Sequence, residues 1–260
     1  MLRRGAAMNG WKRTGSGAAA LVLLCAAYAG ARGPAGAQKS NEKKPEPAAA
    51  LLTADQGTFQ ILVNGQPAGS EVFEIRPSGG GEWSARGTAE LSGEGGAKNR
   101  VTGKMQLTGD GAPRKYEWST SAPRSAAATV VFENGTAKME LRMEGARPYS
   151  QDFDFKTPAV VILDNNMYHH YALLAQLFDW EHKETKTFTV LIPQEMTPGT
   201  VDVDYGGQQV LNGEKVDVLR VHSADLALEL DCESTPQHRL LKISVPSAKA
   251  EIVRQQPAKK

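Results

Sequence analysis

The sequence holds little cysteine, few aromatics and no excess of either charge. Two cysteines occur in 260 residues, and Cys25 lies inside an amino-terminal apolar segment. With that segment removed Cys232 stands alone, so no intrachain disulfide can staple the fold and a hydrophobic core must hold it. The apolar run Ala18–Ala29 (AAALVLLCAAYA) is too short to span a bilayer, and no transmembrane segment is expected in the mature chain. Lys and Arg number 30 against 29 Asp and Glu. Residues 1–37 carry five of the basic residues and none of the acidic ones, which leaves 25 against 29, a net of −4. A mildly acidic chain has no electrostatic footprint for nucleic acid or anionic lipid. Also missing are G-x-S-x-G, C-x-x-C, H-E-x-x-H, a Gly-Lys-Ser/Thr phosphate loop and a dinucleotide fingerprint behind a strand. The loop GEGGAKN has glycines but no Ser/Thr and no helix behind it, so it reads as a hairpin turn. No catalytic residue set, metal or cofactor is assigned.

What is present begins with a leader. Arg3, Arg4, Lys12 and Arg13 precede the apolar run, and A-x-A sites follow at Ala29–Ala31 and Ala35–Ala37. That order predicts a signal peptide over 1–37 and export to the periplasm or beyond the cell. Anchoring through Cys25 is disfavoured by the bulky Val22-Leu23-Leu24 before it. Residues 38–55 (QKSNEKKPEPAAALLTAD) are charged and Pro/Ala-rich with no sustained period, which predicts a tether. Residues 255–260 resemble it, and 56–254 form one domain.

Across that domain apolar residues alternate with polar ones at period 2. TFQILVNG, EVFEIR, EWSARGTAEL, RVTGKMQLTG, RKYEWSTS, ATVVFE, TAKMELRM and YSQDFDF fill the first half. TFTVLIP, TVDVDYG, KVDVLRVH, LALELD, RLLKISVP and AKAEIV fill the second. Asn134-Gly135 suits a type I′ hairpin. About a dozen strands in meander order, with twist accumulating across them, predict a mainly β fold. Its form is a strongly curved antiparallel half-barrel or clam-like sheet around one central helix.

The helix belongs to DNNMYHHYALLAQLFDW, Asp164–Trp180. Asp164 suits an N-cap. Met167, Tyr171, Leu174 and Phe178 form a stripe with His170, Leu173 and Leu177 beside it, which predicts one broad buried face. His169 and His170 lie about 100° apart around the axis and cannot grip one atom as an i, i+4 pair does. Three readings stand: a structural pair with one ring half-buried and the other exposed, a polar lining for a ligand pocket (Asn165, Asn166, Tyr168, His169, His170, Tyr171), or a catalytic base oriented by Asp164. Elsewhere, Asp202 and Asp204 share a strand face and read as solvated. Asp231, Cys232, Glu233 and His238 are too loosely spaced for zinc. His182 and His222 read as surface or strand-edge residues. Trp83, Trp118, Trp180, Met105, Met139 and Met143 suit a core or a cavity.

Four stretches carry a resemblance: F-x-I-x-V-N-G-x-x-x-G-x-E-x-F over Phe59–Phe73, L-D-N-N-x-x-H-H-Y over Leu163–Tyr171, F-T-V-L-I-P-Q-E over Phe188–Glu195, and L-L-K-I-S-V-P-x-x-x-x-E-I-V-R over Leu240–Arg254. With these the chain resembles a group of uncharacterised secreted bacterial β-rich proteins. In strand count and helix placement it is similar to the LolA/LolB/LppX half-barrels. That resemblance implies a concave apolar face holding a lipid or acyl chain, with no residue-level contact to transfer. The expected function is a secreted or periplasmic binding protein for an apolar or amphipathic ligand. A hydrolase using His169 or His170, and an envelope assembly protein with a protein partner, are the alternatives.

Overall fold

The structure, a computed structural model, describes residues 51–93, 97–122, 124–224 and 226–256. The expected leader, Cys25, most of the tether and the end of the tail lie outside the described residues. The chain enters the core at Leu52, which is buried, and its first strand starts at Asp55, one residue ahead of the expected boundary.

Every alternating segment is a separate strand, and the apolar AVVIL run supplies another, so the count is fifteen rather than about a dozen. The first half runs β1 (Asp55–Val63), β2 (Gln66–Gly79), β3 (Glu82–Ser92), β4 (Lys98–Leu107), β5 (Pro113–Thr120), β6 (Ala126–Glu133), β7 (Thr136–Met143) and β8 (Tyr149–Asp154). Then come β9 (Val160–Ile162), the helix α1 (His169–Leu177), β10 (Lys186–Ile192), β11 (Thr197–Leu211), β12 (Glu214–His222), β13 (Ala227–Glu233), β14 (Leu240–Val245) and β15 (Ala250–Arg254). The Asn134-Gly135 hairpin forms as its φ preference requires, both residues being left-handed at φ 51° and 82°.

One sheet contains all fifteen strands, in the order β8 to β1, then β15 down to β9. The first and last strands are therefore neighbours at its centre, paired from Phe59↔Arg254 to Val63↔Ala250. The chain meanders from β1 out to one edge, crosses to the other at β9, and meanders back. That crossing dictates the curvature. Laid flat, fifteen strands would span about 65 Å, whereas the five residues between Asp154 and Val160 reach only about 20 Å. The sheet must curl until its edges approach, and it remains unclosed. All pairings are antiparallel except β9 with β10, and α1 is the crossover a parallel pair needs.

Curling leaves a tube-like interior. Phe59, Ile75, Met105, Tyr116, Leu191, Leu219, Leu230 and Ile243 fill it from the strands, and α1 enters it. The expectation of a helix with a single buried face is corrected here: His169–Ala175 are all buried, because the sheet wraps around the helix instead of lying under it. Nine residues would not hold a helix alone in water; the enclosure does.

Candidate functional site

The amino end of α1 docks on the sheet at two glycines. Alternation places Gly87 of β3 and Gly103 of β4 on the inner face, directly paired with one another. A Cβ at Gly87 would lie 2.4 Å from Glu71 Oε1 and 2.6 Å from His169 Nδ1. One at Gly103 would lie 2.8 Å from Met167 Sδ. These glycines serve close approach, not a turn.

Glu71 of β2 fills the space so created. It is fully buried, and its Oε2 accepts the backbone N–H groups of Tyr168 at 2.9 Å and His169 at 3.0 Å. Its Oε1 lies 2.6 Å from His169 Nδ1. The expected N-cap, Asp164, does not cap α1. The cap position is Tyr168, with no side-chain cap bond of its own. A carboxylate reaching across from the sheet satisfies orphan donors that a local cap would otherwise take, and its charge sits at the positive end of the helix dipole.

Asp164 is occupied elsewhere. Its carboxylate accepts from Tyr116 Oη at 2.8 Å, from Gln194 N–H at 3.0 Å and from Asn165 N–H at 3.2 Å. Burial pushes its pKa up to about 6, against the pull of those hydrogen bonds. Burial, with Asp164 beside it, also pushes the Tyr116 phenol well above its ordinary range. The Asp164 backbone N–H donates to His170 Nδ1 at 3.1 Å, which leaves the proton of that ring on Nε2. Burial, and then the neighbouring His169, hold the His170 pKa well below the usual histidine value, so the ring is neutral.

Neither ring is exposed, contrary to the reading that left one in solvent; both are fully buried, 4.5 Å apart between centroids. Among the described residues neither Nε2 has a hydrogen-bond partner. His169 also stacks 6.1 Å from Phe73, which stacks on Phe59 at 4.9 Å. Arg254 lies 5.2 Å and 5.4 Å over those two rings and pairs with Asp55 at 2.6 Å. The four stretches behind the resemblance thus converge on this end of α1. Phe59, Glu71 and Phe73 come from the first, Asp164 to His170 from the second, Gln194 from the third and Arg254 from the fourth.

The remaining expected pocket residues sit around the same anchor. Asn165 Nδ2 donates to Glu195 at 2.8 Å, and Asn166 is left-handed at φ 61° with its side chain near Tyr168 Oη. Asn165, Asn166, Tyr168 and Tyr171 line a cavity of about 10 Å³ with Leu228, Ile243 and Val245, space for about one water. His169 and His170 are not on that lining.

The other end of α1 is open. Trp180 Nε1 donates to the Ala175 carbonyl at 2.8 Å and Lys186 Nζ to the Leu177 carbonyl at 2.7 Å, closing the carboxyl-terminal turn. Beyond them lies a cavity of about 920 Å³ beside the linker between the two sheet edges. Val160, Val161, Leu177, Phe178 and Phe188 give it apolar walls. Trp180 stands at its side with His238 stacked on it at 3.9 Å.

Other sequence candidates are accounted for locally. Asp204 holds His222 at 2.6 Å and Thr185, and Asp202 holds Thr187. Cys232 is fully buried, its thiol pKa raised chiefly by burial. No grouping of three or more metal-ligating side chains occurs among the described residues. Trp83, Trp118, Met105 and Met139 belong to the core, whereas Met143 is exposed. Glu71 stands in the first of the four stretches with no site role expected of it, although it falls in phase with Phe73 and Ile75 on the inner face of β2, a carboxylate where a hydrophobe belongs. Gly87 and Gly103 carry the same kind of signal.

Fold and site together define a β-barrel-like protein, one unclosed sheet curled around a helix that is anchored at one end and open at the other. The sequence matches no protein-family model and no curated protein. Among solved structures the chain is similar to the crystal structure of a beta-barrel-like protein of domain of unknown function DUF1849 from Brucella abortus. Identity is 9%, coverage 80% of this chain and 97% of that one, and the TM-score 0.50. At that identity the likeness is one of fold.

Proposed function

We propose that this is an exported binding protein that takes the apolar part of an amphipathic, lipid-like ligand into the opening at the carboxyl end of α1. The observation that carries the reading is the roughly 920 Å³ cavity with its apolar walls beside the unclosed edges of the sheet, a size and character typical of small-molecule sites. Export rests on the leader expected over 1–37. The likeness to LolA/LolB/LppX half-barrels enters here as well, with one change of place: α1 fills the middle of the concave face, so the hollow lies at the end of the helix. In this reading Asn165, Asn166, Tyr168, His169, His170 and Tyr171 fix the plug, and the ligand meets residues 157–189.

The test is native mass spectrometry of protein exported by its own leader, together with uptake of a fluorescent fatty acid or alkyl amine. Co-purified lipid or saturable uptake, lost in Ala159→Trp, supports the reading. Ala159 is exposed on the cavity wall, so a large side chain there blocks the hollow without entering the core. Absence of both lipid and uptake overturns it.

One observation favours a second reading. With the Glu71 carboxylate accepting from Nδ1, His169 presents its Nε2 lone pair, the tautomer of a general base oriented by an acid. It requires the plug to move, since the ring is fully buried. Turnover of nitrophenyl esters that survives His170→Gln and vanishes in His169→Gln would establish it; equal background rates in both would dismiss it.

A further inference from the structure

The charges around the opening are unequally committed. Asp110, Asp179, Glu181, His182 and Lys186 stand on its rim. The lysine and the histidine are both engaged within the protein. Lys186 donates to the Leu177 carbonyl and lies 4.8 Å from the centre of the Phe188 ring, so its charge answers the negative end of the helix dipole. His182 pairs with Asp179 at 2.8 Å, and Asp179 also takes the backbone N–H groups of Glu181 and His182. Among the described residues Asp110 is held only by the Thr108 hydroxyl, through one oxygen. Glu181 has no ion pair or side-chain hydrogen bond among the described residues. The charge of Glu181 acts on His182, which Asp179 already holds, so three carboxylates share one lysine and one histidine and the rim carries an excess of negative charge. His238, on the same lining, keeps a buried Nδ1 that lacks a hydrogen-bond partner among the described residues. Trp180, stacked on it, lines the same space.

An apolar hollow with an excess of carboxylates at its mouth is complementary to a long-chain amine. We propose that the opening selects amphiphiles with a cationic, hydrogen-bond-donating head over those with a carboxylate head. This rests on the binding reading above and adds the class of head group. The alkyl chain occupies the space between Val160, Phe178 and Phe188, and the ammonium sits between Asp110 and Glu181, within reach of the rim.

Isothermal titration of the protein with decylammonium, decanol and decanoate, at neutral pH and low salt, tests it. Two partly exposed ion pairs are worth about a tenfold preference for decylammonium over decanoate. The preference shrinks as salt is raised, because exposed charges are screened. It collapses in the Asp110→Asn/Glu181→Gln double variant, while decanol affinity is unchanged. Equal or tighter binding of decanoate, or a preference that survives the double variant, overturns the head-group assignment and leaves the binding reading standing. Failure of all three probes to bind overturns both.

Discussion

The two ends of α1 solve opposite problems. At the amino end, most buried donors meet buried acceptors: Glu71 takes two helix N–H groups and one imidazole, and Asp164 takes a phenol and two backbone amides, while the two imidazole Nε2 atoms stay unpartnered among the described residues. At the carboxyl end the helix carbonyls are met by Trp180 and Lys186, with about 920 Å³ of cavity beyond. A polar group can be buried cheaply only when its partners are buried with it. The amino end is therefore tight and unforgiving, whereas the carboxyl end, in the binding reading proposed above, can exchange contents.

The largest expected effect attacks the anchor. Glu71→Ala leaves two helix amides and His169 without their acceptor and costs about 3–5 kcal/mol, measured by urea unfolding. Glu71→Gln, which keeps an acceptor oxygen, costs visibly less. A loss under ~1 kcal/mol for the alanine variant would show that the carboxylate is not the cap. Gly87→Ala comes next. Its methyl would overlap Glu71 and His169, so overpacking costs about 1–3 kcal/mol, and unchanged stability would mean the helix does not press on the sheet there.

Acid separates two members of the anchor by sign. Asp164 has a raised pKa, so the folded state takes up its proton near pH 6 while the unfolded chain waits until about its ordinary value near 3.8. Its contribution to stability rises as pH falls through that window. His170 has a lowered pKa, so the unfolded chain protonates near 6.5 while the folded one does not; its contribution is lost as pH falls below 6.5. Relative to the parent, Asp164→Asn should lose stability more steeply between pH 6.5 and 4, and His170→Gln less steeply. Identical pH profiles for the three proteins would remove both groups from the anchor. The smallest stability effect belongs to the open end. Ala159→Trp should fall within about 0.5 kcal/mol of the parent although it abolishes ligand uptake, and a large loss would mean the cavity wall is part of the core.

Much of the fold is legible in the sequence because alternation is a local signal. Phe59, Ile61, Phe73 and Ile75 announce their inner face by period alone, and Asn134-Gly135 announces its hairpin. The closeness of the two sheet edges is not local. It follows only from knowing that β1 pairs with β15, which turns a five-residue linker into a constraint on curvature. Asp164 looked like a cap for a similar reason. An acceptor five residues before the first residue of a helix is the economical choice until a carboxylate from β2, nearly a hundred residues earlier, is carried to the same amides. The histidines were visible, but their burial was not, since a helix enclosed by a tube shows no polar face to betray it. Trp180 and His238 are far apart in sequence, and their stacking beside the opening depends on the β13–β14 turn.

The most direct test is hydrogen exchange followed by mass spectrometry with and without saturating decylammonium. The proposal predicts added protection over residues 157–161 and 177–189, with amides of 164–173 already protected and unchanged. Added protection confined to 164–173, with none near Trp180 and Phe188, would place the ligand at the anchored end and contradict it.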